Sequence, residues 1–179
     1  MSGAPVQKAG TRTYTSLRHI AADLASTMRT ARVLRSDRAA GRVGAAFAER
    51  LMLSVTRVNG CRWCSFAHSR MALAAGLRPD EVRGLLGGVA DGAPEGELAA
   101  LLYAQHWAEA GGRPDPAARA RLVGTYGPAG AEAIERVIRT INTANLVGNT
   151  VDHVMGRLTR GRWASAIVLR TVVGAEAPA

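Results

Sequence analysis

Apolar residues recur at three- and four-residue steps along most of the chain, which is the period of an amphipathic α-helix. The first stripe predicts a helix that begins near Tyr14 and is broken by "RSDRAAGR", residues 35–42. Its apolar members are Leu17, Ile20, Leu24, Met28 and Ala31. We expect residues 1–12, which are small, polar and unpatterned, to be a flexible N-terminus.

Glycine and proline mark the ends of the later helical patterns. Further helices are expected over about 42–58, from the cysteines to near Gly76, from Pro79, from Pro94 to Gly111–Gly112, over 116–123 and over 129–158. Only "WASAIVLRTVV", residues 163–173, also fits a strand. Without β–α–β alternation, the pattern predicts a single all-α domain over 13–179, a helical bundle.

Charge and hydropathy indicate where in the cell the protein works and which classes of partner it binds. The formal net charge is +9, with 23 basic residues of which all but Lys8 are arginines. These arginines are spread without interleaved aromatics, so nucleic-acid binding is not favoured. No apolar run reaches the roughly 18 residues of a membrane span, and the N-terminus lacks a signal-peptide core. We therefore expect a cytoplasmic protein with no membrane contact.

The segment "NGCRWCSFAHSRMALAAGL", residues 59–77, contains both cysteines of the chain. In a reducing compartment such a pair is more often catalytic or metal-binding than structural. On a helix that opens near Gly60, Cys61, Cys64 and His68 share one face. The free N–H groups of the first turn favour a thiolate. The spacing also allows the two sulfurs to close into a disulfide, and His68 can exchange a proton with Cys64.

Glu49 is an acidic residue at an unusual position on the preceding helix. It lies off the polar stripe and on the face of Leu53 and Thr56. In an antiparallel hairpin around Gly60, Glu49 and His68 are each roughly 10 to 13 Å from the turn, at about 1.5 Å per residue. The spacing therefore predicts a Glu–His–Cys arrangement. A zinc site made of these four side chains, or two inert core cysteines, are the alternatives.

Two further features carry expectations. The amide-rich stripe on the late helix predicts buried hydrogen bonding, and we favour a subunit contact over the lining of the active-site cavity. Its members are Asn142, Asn145, Asn149 and Asp152. His106 and Trp107 lie on an otherwise apolar helix and are expected to fill a core or a subunit interface.

Glu49, the Cys61-x-x-Cys64 pair, His68 and the following "MALAAGL" resemble the core of the alkylhydroperoxidase D and carboxymuconolactone decarboxylase superfamily. The similarity continues through "GELAALLYAQHWAEAGG" and "RTINTANLVGNTVDHVMGRL", so that it covers about residues 42–158. The resemblance implies the all-helical fold of alkylhydroperoxidase D and a homo-oligomer, typically a trimer or a hexamer.

The resemblance also implies an activity, that of a thiol peroxidase. Cys64 would attack a hydroperoxide, Cys61 would resolve the sulfenic acid as a disulfide, and Glu49 and His68 would form the proton relay. No bound cofactor is implied. Reduction would come from an external dithiol, which in the best-known members is a lipoyl-protein.

Two departures separate this chain from the peroxidase type. Trp63 stands where that enzyme has a second histidine, directly before the peroxidatic cysteine, and the motif lies in the first half of the chain. True carboxymuconolactone decarboxylases lack the cysteine pair. The alternatives are therefore a thiol–disulfide exchange protein without peroxidase activity, a decarboxylase-like enzyme, or a non-catalytic oligomer.

Overall fold

The structure is a computed structural model that describes residues 11–90, 92–160 and 162–163. Within these ranges the chain forms six α-helices and no strand, which confirms the predicted all-α class. They are α1 (Leu17–Ala39), α2 (Ala45–Asn59), α3 (Arg62–Ala74), α4 (Pro79–Gly87), α5 (Glu95–Glu109) and α6 (Pro116–Leu158). No helix in the described ranges is long and apolar enough to cross a membrane.

Helix α2 is the centre of the bundle, and it contacts α3, α4, α5 and α6. Three of its apolar residues, Leu51, Leu53 and Val55, are fully buried, since α2 has neighbours on several sides. The polar side of α2 is also covered: the Arg50 guanidinium pairs with Glu81 of α4 and Glu97 of α5. Because α2 is packed on several sides, its side chains are held in fixed positions.

Helix α6 consists of two helical segments joined at a kink. Gly127 has a non-helical backbone with φ 69° and ψ 168°, and Pro128 follows it. Glycine tolerates the positive φ, and proline suits the first turn of the segment that follows. The sequence pattern of a short helix and a long one on either side of this point is therefore confirmed.

Helix α1 differs from its prediction at the C-terminal end. It does not break at residue 35 but continues to Ala39. The reason is Asp37, which is only 4% exposed and accepts two hydrogen bonds from Arg136 of α6, at 2.7 and 3.1 Å. A buried carboxylate needs such partners, and they hold the last turn of α1 on α6.

The two chain ends are described only in part. Residues 1–10 of the segment expected to be flexible lie outside the described residues, as do residues 164–173 of the strand-or-helix segment. Arg12 is described and is hydrogen-bonded: its N–H donates to the Asn59 carbonyl at 3.2 Å, and its guanidinium donates to the carbonyls of Ala108 and Glu109 at the end of α5.

Candidate active site

The turn between α2 and α3 positions the cysteine pair. Gly60 ends α2 in the left-handed conformation, with φ 66°, which glycine adopts without the penalty that a Cβ brings. The next residue, Cys61, is the N-cap of α3, and its sulfur accepts a hydrogen bond from the Cys64 N–H at 3.4 Å. Both sulfurs are therefore at the N-terminal end of α3.

The two sulfurs are bonded to each other as a disulfide, with the Cα atoms 5.4 Å apart. Their environments differ. Cys61 is 0% exposed, whereas Cys64 is only partly buried. A reactant that arrives from solvent therefore reaches Cys64 first.

Glu49 and His68 form a direct contact between α2 and α3. Nδ1 of His68 lies 2.8 Å from Oε2 of Glu49, and the two side chains are 15% and 4% exposed. When Nδ1 donates to the carboxylate, Nε2 is left as the nitrogen that takes up or gives a proton. His68 follows Cys64 by one helical turn, so the three residues that the sequence predicts as a relay are contributed by one helix hairpin.

The burial of Glu49 is informative because a carboxylate in this position is a poor way to stabilise a fold. Burying an ionised group costs several kcal/mol of folding free energy. Even a buried ion pair rarely stabilises a fold more than well-packed apolar residues at the same positions would. Leu53 and Thr56, one and two turns further along α2, are 0% exposed. The Glu49–His68 contact is therefore a buried hydrogen-bonded pair close to the two cysteines, in the register that the sequence predicts.

The two arginines of α3 that are near the cysteines in the sequence are paired with other groups. The Arg62 guanidinium pairs with Asp152 at 2.5 Å and lies over the Trp63 ring at 5.4 Å from its centroid. Arg70 lies over the Phe66 ring at 5.8 Å. Both arginines are exposed and engaged elsewhere, so the N-terminal end of α3 is the main source of positive potential at the sulfurs.

A metal site gains no support from the described side chains. Among them, no group of three or more His, Cys, Asp and Glu residues is arranged to hold a metal ion. The zinc alternative needs both sulfurs as separate ligands, so it concerns the reduced protein rather than the disulfide form described here. Trp107, on α5, is buried in the core as expected, and His106 beside it accepts a hydrogen bond from the Asp115 N–H at 3.1 Å.

The amide stripe of α6 is bonded to the end of α2, inside one chain. Asn145 is 0% exposed, accepts from the Asn59 side chain at 3.2 Å and donates to the Thr56 hydroxyl at 3.1 Å. Asn149 donates to the Asn59 carbonyl at 2.8 Å. The expected buried hydrogen bonding is confirmed, but the favoured subunit contact is wrong for Asn145 and Asn149, because their partners, in α2 and at Arg12, belong to the same chain.

This network predicts a measurable loss of stability for Asn145→Ala. The variant leaves Thr56 without its buried partner and removes one acceptor of Asn59, which we expect to lower the free energy of unfolding by about 1–3 kcal/mol. Urea denaturation measures the change. Thr125→Ala, on an exposed hydroxyl that bonds only to the Arg121 carbonyl of its own helix, should stay within about 0.5 kcal/mol of wild type. Equal losses in the two variants would contradict this account of the network.

Gly148 lies next to the cysteine pair, although the sequence does not single it out. Its position on α6 lies against the disulfide: a Cβ built there would be 3.3 Å from the Cys61 sulfur and 3.8 Å from the Cys64 sulfur. The residue belongs to the quoted segment "RTINTANLVGNTVDHVMGRL", but nothing in a single glycine within a helix indicates which residue it meets. The contact joins positions far apart in the chain.

Comparison with known proteins gives one match. Residues 26–110 match the carboxymuconolactone decarboxylase family. No curated protein and no solved structure gives a significant match to the chain. The matched segment runs from within α1 to the end of α5 and includes Glu49, both cysteines and His68. Over this segment, which is just under half of the chain, the protein is similar to the carboxymuconolactone decarboxylase family, in agreement with the resemblance seen in the sequence.

Proposed function

We propose that this protein is a thiol peroxidase that reduces hydroperoxides at Cys64. The family includes enzymes and supports an alkylhydroperoxidase-like or carboxymuconolactone decarboxylase-like function. The observation that carries the finer proposal is the buried Glu49–His68 hydrogen bond on the same helix hairpin as the Cys61–Cys64 disulfide. A lactone decarboxylation needs no pair of cysteines, whereas a peroxide cycle uses all four residues.

In the first step, His68 takes the proton of the Cys64 thiol, and Glu49 stabilises the imidazolium that forms. The thiolate attacks one oxygen of the hydroperoxide. A sulfur–oxygen bond forms and the O–O bond breaks, so that the sulfur is oxidised by two electrons and the peroxide is reduced. The leaving alkoxide takes the proton from His68 and departs as an alcohol, while Cys64 becomes a sulfenic acid.

In the second step, the Cys61 thiolate attacks the Cys64 sulfur. The disulfide forms, the sulfur–oxygen bond breaks, and hydroxide leaves as water after taking up a proton. An external dithiol then reduces the disulfide by exchange and is itself oxidised to a disulfide, which returns two thiols to the protein. We propose a lipoyl-type dithiol for this role, with no bound cofactor, and a reducing compartment such as the cytoplasm as the location.

The test compares two oxidants under one protocol. Reduced protein is mixed with cumene hydroperoxide or with a small disulfide such as lipoamide, and dihydrolipoamide serves as the donor in the turnover assay. We expect catalytic consumption of the hydroperoxide. Rapid reaction with the disulfide and none with the hydroperoxide would indicate a thiol–disulfide exchange protein instead of a peroxidase. Thiols that react with neither oxidant would favour a decarboxylase-like enzyme or a non-catalytic protein.

We also propose that the chain works as a homo-oligomer, a trimer or a hexamer. The apolar stripe of α1 is not covered in the single chain: Leu17 is 83% exposed and Met28 is 77% exposed. Contiguous exposed apolar surface of this kind is typical of a protein interface.

Met28→Gln should therefore weaken the assembly, and sedimentation velocity at several protein concentrations measures it. Thr125→Gln, at an exposed position of α6, is the control that should sediment like wild type. A wild-type chain that sediments as a monomer throughout would contradict the proposal.

A further inference from the structure

The backbone of α6 passes directly against the buried sulfur of the redox pair. At Gly148, an added Cβ would lie 3.3 Å from the Cys61 sulfur, and 3.8 Å from the Cys64 sulfur. The shorter distance is tighter than ordinary van der Waals contact, so this position accepts a hydrogen atom but crowds a methyl group. Cys61 is 0% exposed and is enclosed by protein.

The approach of α6 is fixed by residues on both sides of Gly148. Asn145 is bonded to Asn59 and Thr56 of α2, and Asn149 is bonded to the Asn59 carbonyl. Moving α6 away from the sulfurs would stretch these buried hydrogen bonds, which is costly. A side chain at position 148 therefore has to be accommodated by the sulfurs, since the helix is held in place.

We infer that Gly148 is a positioning residue for the redox pair, because its missing side chain reserves the space that the Cys61 sulfur occupies in the disulfide. The inference rests on the proposed thiol chemistry and names a residue that acts through Cys61. The closed disulfide holds both sulfurs next to this space. In the dithiol, the partly exposed Cys64 side chain can turn toward solvent, and the Cys61 sulfur is freed from the bond. A methyl group at position 148 therefore disfavours the disulfide more than the dithiol.

The experiment is a redox equilibrium of the full-length protein with dihydrolipoamide and lipoamide, read by alkylation and mass spectrometry. For Gly148→Ala we expect the equilibrium constant for disulfide formation to fall about tenfold, which corresponds to a reduction potential about 30 mV more positive. Gly156→Ala is the matched control on the same helix, since a Cβ there meets nothing within 4 Å. It should leave the equilibrium unchanged. An equal constant in the two variants, or a shift of Gly148→Ala toward the disulfide, would overturn the inference.

A second measurement applies even when Gly148→Ala folds poorly. The stabilities of wild type, Gly148→Ala, Cys61→Ala and the double variant form a mutant cycle, measured without reductant so that the disulfide is closed wherever both cysteines are present. Removing the sulfur should relieve the crowding, so that Gly148→Ala destabilises the chain when Cys61 is present and does so far less when it is absent. Equal effects in both backgrounds would overturn the inference. Neither measurement uses a peroxide, so a protein without peroxidase activity still gives a clear answer about Gly148.

Discussion

Cys64→Ser should abolish reaction with a hydroperoxide, whereas Cys61→Ser should still react once per chain and then stop. The reason is the difference between the two sulfurs: Cys64 is partly exposed at the first turn of α3, and Cys61 is completely buried at its N-cap. Only the first is placed to meet a reactant from solvent. Serine keeps the size of the side chain but is a far weaker nucleophile than a thiolate.

The two variants control for each other, because each removes one sulfur from the same disulfide. Stopped-flow mixing with cumene hydroperoxide gives the rate of the attack, and trapping with dimedone detects the sulfenic acid. We expect a dimedone adduct in Cys61→Ser and none in Cys64→Ser. An adduct in Cys64→Ser, with an unreactive Cys61→Ser, would reverse the assigned roles.

Glu49→Gln should slow the first attack on the hydroperoxide by about 100-fold or more, the usual scale of general acid–base catalysis. Glutamine can still accept the His68 N–H, so we expect the contact at 2.8 Å to survive. What is lost is the negative charge that stabilises the imidazolium when His68 holds the proton of Cys64. The rate of sulfenic acid formation measures the effect.

Glu132→Gln is the matched control, because Glu132 is 60% exposed and pairs only with Arg136 at i,i+4. It should react like wild type. If Glu49→Gln also reacts at the wild-type rate, while its fold and thiol content are intact, Glu49 has no part in the proton transfer and the relay is wrong.

Much of the site could be predicted because its geometry is local. The α-helical period, the stop at Gly60 and the rise per residue bring Glu49 level with His68, since both belong to one hairpin. The fold class followed from the same periodicity. The identity of the pair as catalytic residues stays a prediction, as do the substrate and the electron donor.

The parts that could not be predicted depend on distant partners. Helix α1 continues to Ala39 because Asp37 meets Arg136, 99 positions later in the sequence. The amides of α6 bond to the end of α2 rather than to another subunit, and Gly148 meets the Cys61 sulfur. Periodicity shows which residues share a helix face, but it does not show which helix covers that face.

The apolar stripe of α1 also shows that periodicity does not identify what covers a helix face. Its three- and four-residue spacing correctly indicates a helix with one apolar face. In the single chain, however, Leu17 and Met28 on that face are largely exposed. The periodic pattern therefore predicts an apolar face without identifying what covers it, and the oligomer stays a proposal.

The central claim is that a hydroperoxide converts the two thiols of this chain into the Cys61–Cys64 disulfide. The most direct measurement is a thiol count on fully reduced protein before and after a small excess of cumene hydroperoxide, followed by addition of dihydrolipoamide. We predict the loss of both thiols per chain and their return with the dithiol. Thiols that remain at two per chain after the hydroperoxide, in folded protein, would contradict the claim.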